Sequence, residues 1–134
     1  MGLDCSHNAF SGAYSAFNRL RQFVCAATGP DGSFPPHEKA GLDNNAFYIG
    51  DEYTRETHPG LWEFLTHSDC DGEIDPVMCT KVANDLEHLL PAMENLGRES
   101  YGHIATQGGY LGVVRKFIAG CRAAATDKTP LTFH

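Results

Sequence analysis

The chain has 134 residues, with 17 acidic and 10 basic side chains, a formal net charge of −7 and 42% apolar residues. That length fits one domain over 1–134, and eight Phe, five Tyr and one Trp suffice to close a core, which excludes a disordered chain. The acidic balance excludes a broad nucleic-acid face and a membrane-surface binder, both of which need basic surface, yet it leaves room for a small anionic ligand where the Arg and Lys residues gather locally.

Ser6 or Asn8 can cap a first helix, with apolar residues recurring at Phe10, Ala13, Tyr14, Phe17, Leu20, Val24 and Ala27 until Gly29 and Pro30 end it. Residues 29–45 are rich in Gly, Pro, Asp and Asn and read as a long loop, a candidate lid or binding edge. Phe47, Tyr48 and Ile49 suggest a brief strand. Thr57 can cap a short helix with Pro59 in its first turn, carrying Leu61, Trp62, Phe64 and Leu65. Asp75 and Pro76 open the next helix as cap and first position, and its buried stripe is Met78, Val82, Leu86, Leu89 and Met93. Gly102 to Gly112 begins loosely; helical spacing then returns through Leu111, Val114, Ile118, Cys121 and Ala125. The fold class is therefore mostly α, a small bundle of three long helices and one short one, with a long loop and room for a short β-pair.

The five cysteines, Cys5, Cys25, Cys70, Cys79 and Cys121, are odd in number and include no C-x-x-C pair, so reduced thiols in the cytoplasm are the simplest expectation. No signal peptide or membrane span is legible. Met1, Gly2 and Ser6 match the myristoylation pattern, with Cys5 beside them as a palmitoyl position, although the same residues serve as a helix lead-in.

The segment from His67 to Pro76 echoes an EF-hand loop when Gly72 takes the sharp-turn position. Asp69 and Asp71 then fall on the third and fifth ligand places, Ile74 on the apolar bridge that pins the loop to a neighbouring short strand, and Asp75 on the ninth. His67 stands in the first place and Met78 where a bidentate Glu belongs, which disfavours tight calcium binding. Zinc, manganese or iron would accept His67 with Asp69 and Asp71, joined by His58. A turn at Asp71 and Gly72, braced by Asp69, with Asp75 as a helix cap, accounts for the same residues without a metal. The divalent ion this loop admits is zinc, manganese or calcium, used either for chemistry or only for shape.

Asp4, Cys5, Ser6 and His7 hold the types needed for a nucleophile and its base, but adjacent residues rarely face one another, so capping explains them better. Cys25 and Cys121 read as small core residues; His88 and His103 have no spaced ligand partner. Gly108, Gly109 and Gly112 ahead of a helix either expose N–H groups to a phosphate or allow close helix packing. Arg19 and Arg21 on the first helix, with Arg115, Lys116 and Arg122 on the last, are half of the positive charge. If those helices pack side by side, they form a basic pocket edged by Tyr14, Tyr101 or Tyr110; otherwise each is a solvated face.

The opening Gly2-Leu3-Asp4-Cys5-Ser6-His7, the run Ala13-Tyr14-Ser15-Ala16-Phe17-Asn18-Arg19, the central stretch from Thr57 through Glu73 and the run Arg115 to Cys121 resemble a family of small uncharacterised phage and bacterial proteins. The resemblance brings no assigned activity; it implies a small accessory protein in a bacterial cytoplasm, of a kind that counters host defences. The expected function is binding without turnover of a small anionic, nucleotide-like ligand or a host protein. No extended nucleic acid or membrane is expected as a partner, and a homo-oligomer is left open. The alternatives are a metal-dependent hydrolase at His58, His67, Asp69 and Asp71, and a domain that uses a cation only structurally.

Overall fold

A computed structural model describes residues 2–27, 56, 58–68, 71–96 and 109–134. The long-loop expectation over 29–45, the strand at Phe47 to Ile49, Thr57, Asp69, Cys70, Tyr101, His103 and Gly108 lie outside them. In chain order the elements are β1 (Gly2–Asp4), a 3-10 turn (Ser6–Asn8), β2 (Ser11–Ala13), α1 (Tyr14–Ala27), α2 (Pro59–Thr66), β3 (Glu73–Ile74), α3 (Pro76–Leu96), α4 (Gly109–Asp127) and β4 (Leu131–Thr132). The fold is mostly helical, with short antiparallel β-pairs.

The helices α3 and α4 share the most extensive packing. Along α3 the buried residues Cys79, Val82, Leu86, Leu89 and Met93 alternate at spacings of three and four, and Val114, Phe117, Cys121 and Ala124 do so along α4. This is the seam of a two-helix coil. Its edge is marked by Arg122 with Glu87 at 2.6 Å and Arg115 with Glu94 at 3.1 Å, one heptad apart on each helix and in reverse order, as antiparallel helices require. The stripe differs by one residue from the sequence expectation at its start: Cys79 is fully buried and Met78 only half so. Asp75 caps α3 as its position beside Pro76 predicts, its Oδ1 accepting the Met78 N–H at 2.9 Å.

α2 lies against α3 at backbone range. A Cβ on Gly60 would sit 2.2 Å from the Lys81 carbonyl oxygen, so only glycine allows this approach. The cap of α2 comes from its neighbour: Asp85 Oδ2 accepts the Leu61 N–H at 2.9 Å.

The first helix begins at Tyr14, later than the apolar spacing from Phe10 suggests. Residues 2–4 and 11–13 pair instead, Leu3 opposite Gly12, and the Ser11 hydroxyl donates to Asp4 Oδ1 at 2.7 Å. The last residues join the two ribbons. Asp4 and His134 exchange both backbone bonds, Cys5 bridges Phe133, and β4 pairs with β3, Ile74 facing Leu131. Ile74 thus pins the acidic loop to a short strand, as the loop pattern predicts.

At the centre, Phe17 is fully buried, with its ring centroid 5.0 Å from Phe10, 5.8 Å from Phe64, 5.9 Å from Phe133 and 6.1 Å from Phe117. Phe17→Ala is expected to lower stability by about 3–5 kcal/mol, and Phe17→Leu by clearly less, because the cavity collapses only partly. Urea denaturation followed by circular dichroism checks this; equal losses for the two variants would contradict the packing argument.

Candidate functional site

The C-terminal end of α4 is closed by a Schellman pair: the Thr129 N–H reaches the Ala124 carbonyl at 3.1 Å and the Lys128 N–H the Ala125 carbonyl at 3.3 Å. The residue after the cap, Lys128, has φ +58, where glycine is the usual occupant. The 3-10 turn packs against this helix because Gly120 has no side chain; a Cβ there would lie 2.5 Å from Ala9 Cβ. His7 and Asn8 in that turn have φ +59 and +58. Among the described residues, His7, Asn8 and Lys128 are the non-glycine residues with left-handed φ, and His7 contacts Asp127 and Thr129, the residues on either side of Lys128. Strained backbone of this kind is held where function or tight packing demands it.

Ser6 Oγ lies 2.8 Å from His7 Nδ1, and His7 Nε2 lies 3.0 Å from Thr129 Oγ1 and 3.7 Å from Asp127 Oδ2. The Thr132 N–H donates to Ser6 Oγ at 2.9 Å. These contacts suit one tautomer of the neutral ring. A carboxylate near Nε2 favours a proton on that nitrogen, which then donates to Thr129, while Nδ1 offers its lone pair and accepts the Ser6 hydroxyl proton. The His7 side chain is only 15% exposed, whereas Asp127 is open to solvent. Sequence reasoning gives no facing geometry for adjacent residues. The left-handed turn at His7 supplies it, and no sequence signal announces that conformation in a non-glycine residue.

On the other side of Lys128 is a cleft of about 580 Å³ between the start of α3 and the end of α4, lined by Pro76, Val77, Thr80, Lys81, Ala125 and Lys128. Its wall is mostly apolar carbon, and Val77, the one large hydrophobic side chain left exposed among the described residues, is 70% accessible. The Thr80 hydroxyl is turned to the Pro76 carbonyl. Both charged side chains lining the cleft are cations.

The acidic loop is organised from within. His67 Nδ1 faces the Ser68 carbonyl at 2.9 Å and Nε2 the Glu73 carbonyl at 3.1 Å, while the ring lies 4.2 Å from that of Phe133. Both nitrogens therefore engage the loop's own backbone. Asp71 is exposed, its N–H 3.4 Å from Ser68 Oγ, and Gly72 turns at φ +91. His58 stands at the opposite end of α2, beside Asp85 and His88; burial lowers its pKa, opposed by Asp85 and aided by His88. The structure thus separates His58 from His67 and Asp71. Among the described residues, no group of three or more His, Cys, Asp or Glu is placed to hold a metal ion.

The basic residues do not converge either. Arg21 is buried, donates through Nη2 to the His67 carbonyl and lies 4.5 Å over the Phe17 ring, so its guanidinium bridges α1 to the acidic loop. Arg115 and Arg122 turn toward α3, where Arg122 also reaches Asn84 at 3.2 Å and borders a shallow cleft of about 270 Å³ with Glu87 and His88. Arg19 and Lys116 are exposed. Tyr14 is half-buried against the core, and Tyr110 stacks on Phe23 with centroids 5.0 Å apart.

The buried thiols Cys5, Cys79 and Cys121 are free. Burial, reinforced by the charge of Asp4 and opposed by Arg21, pushes Cys5 up to about 12. Cys121 donates to Cys79, which favours ionisation of Cys79 and holds the Cys121 proton in place. Comparison with protein-family models, curated proteins and solved structures returned no match to this chain.

Two outcomes follow from this geometry. Lys128→Gly removes the Cβ penalty at a left-handed position and is expected to raise stability by about 0.5–1 kcal/mol, read as a higher urea midpoint at unchanged slope. An unchanged or lower midpoint would show that the lysine side chain stabilises the fold by at least as much. Cys5, buried and pushed up to about 12 chiefly by desolvation, carries far less thiolate at pH 8 than it does unfolded. Mass-mapped alkylation should leave it unmodified in the native chain and label it in urea.

Proposed function

We propose that this protein holds, without turnover, a small organic anion with an apolar body in the cleft between α3 and α4, as a phage-type accessory protein of the bacterial cytoplasm. The observation that carries this reading is Lys128. It keeps a long cationic side chain at a left-handed position where glycine would be less strained, on the wall of an apolar cleft whose other charged residue is also a lysine. In a chain of net charge −7, two lysines facing one apolar surface select an anion rather than a neutral lipid or a cation. Among the described lining residues there is no aromatic ring to stack a nucleobase, so the apolar body is better matched by an aliphatic or compact aryl group than by a nucleotide. A host protein that inserts an acidic, apolar-tipped side chain presents the same chemistry, and the exposure of Val77 is compatible with it. The metal-dependent alternative has less support, because His67 directs both ring nitrogens to backbone carbonyls and His58 lies elsewhere.

An anilinonaphthalene sulfonate probe, which combines an aryl body with one negative charge, tests the cleft. The folded protein is expected to bind one equivalent, with affinity that falls as salt rises. Lys81→Gln and Lys128→Gly should each weaken binding by about tenfold, roughly 1.4 kcal/mol, and Val77→Asp should abolish it. Near-ultraviolet circular dichroism confirms that the variants keep native packing. Unchanged affinity in both lysine variants would remove the cleft as the site.

A further inference from the structure

Ser6, His7 and Asp127 have no part in the cleft, and capping does not account for them: the residue preceding the 3-10 turn is Cys5, and no side-chain cap bond is formed there. We propose that they form a nucleophilic site for acyl transfer from compact carboxylic esters, an activity separate from holding the anion. Four observations converge on it. The Ser6 hydroxyl is within hydrogen-bond reach of a lone pair on His7 at 2.8 Å. The far nitrogen of the same ring is oriented by Thr129 at 3.0 Å, with the Asp127 carboxylate at 3.7 Å to receive the charge that forms when the ring is protonated. The Thr132 N–H fixes the position of Oγ from the strand side. The residue carrying the base has a strained backbone, with φ +59, and it is this conformation that turns its ring back to the serine.

The order of roles follows the logic of nucleophile, base and orienting acid, on adjacent residues and with Nδ1 as the basic nitrogen. Ser6 Oγ attacks the ester carbonyl carbon. As that bond forms, the hydroxyl proton passes to His7 Nδ1, and the resulting imidazolium faces Asp127. Collapse of the tetrahedral adduct breaks the bond to the leaving oxygen, which takes the proton from Nδ1 and departs as the alcohol. Water, deprotonated by the same nitrogen, then releases the acid and restores Ser6. The hydroxyl is half-buried beside β4, so the site admits a compact acyl group better than a branched one.

Intact-mass analysis of the full chain after exposure to a fluorophosphonate, together with release of nitrophenol from nitrophenyl acetate, tests the site. The expected result is one adduct per chain, mapped by fragmentation to Ser6, and nitrophenol release that disappears in Ser6→Ala. His7→Gln should slow labelling at least a hundredfold. Should His7→Gln fail to fold, Asp127→Asn decides: its side chain is exposed, its melting temperature should stay near that of the parent, and labelling should slow at least threefold. The absence of any Ser6 adduct, or labelling at the parental rate in a folded His7→Gln or Asp127→Asn protein, would overturn the proposal and leave the cluster as a structural clasp. None of these results depends on whether the lysine cleft binds its anion.

Discussion

The Phe17 ring is the constraint on which the remaining structure depends. It contacts Phe10 just before β2, Phe64 from α2, Phe117 from α4 and Phe133 just after β4, so four separate stretches of chain are positioned by one side chain. The pairs with Phe10, Phe64 and Phe133 are edge-to-face and set angle as well as distance. Arg21 extends the arrangement by crossing the ring and fixing the His67 carbonyl, which ties the acidic loop to the same centre. Phe133 next to Thr132 and Phe10 near Ser6 then place the backbone N–H and the hydroxyl that meet at 2.9 Å. The chemistry at the surface is only as well positioned as these rings are packed.

Much of the helical architecture is legible in the sequence because it is periodic and locally capped. Asp75 followed by Pro76 marks the start of α3 through a bond three residues long, and Val82, Leu86, Leu89 and Met93 reveal its buried side by spacing alone. The first sixteen residues are less legible. Phe10 and Phe17 are one helical face apart in spacing, yet pairing between residues 2–4 and 11–13 claims the intervening chain, and a three-residue strand has too few alternations to register against a helical period. Arg21 shows the other limit. A cation on the polar side of a helical pattern reads as solvated, and only the His67 carbonyl, 46 residues away, gives it an interior partner beside Phe17 one turn earlier.

The candidate sites were the least legible part, for a related reason. His7 and Lys128 break a local preference, and neither residue type signals a left-handed backbone on its own. The acidic loop, by contrast, is conspicuous in composition. Its histidine acts mainly as a brace, with both nitrogens on backbone oxygens of the segment 67–73. Chemical suggestiveness in a sequence and geometric convergence in space are thus set by different interactions here. The first follows from residue type; the second follows from two helix ends and a strand that meet only after the whole chain is placed.

The late meeting of these segments also shapes how the chain acquires its structure during synthesis. Asp4 bonds His134 and Cys5 bridges Phe133, so the N-terminal ribbon lacks its outer partner until nearly 130 further residues have been made. At a synthesis rate of roughly 5–20 residues per second, Leu3, Phe10 and Phe17 wait on the order of ten seconds with apolar surface uncovered. The α3–α4 pair, whose contacts are nearer in sequence, is able to form earlier and to act as the template on which the N-terminal segment closes. Nascent-chain protection by a chaperone would be directed at residues 3–17, long before either the Ser6–His7–Asp127 cluster or the lysine cleft is assembled.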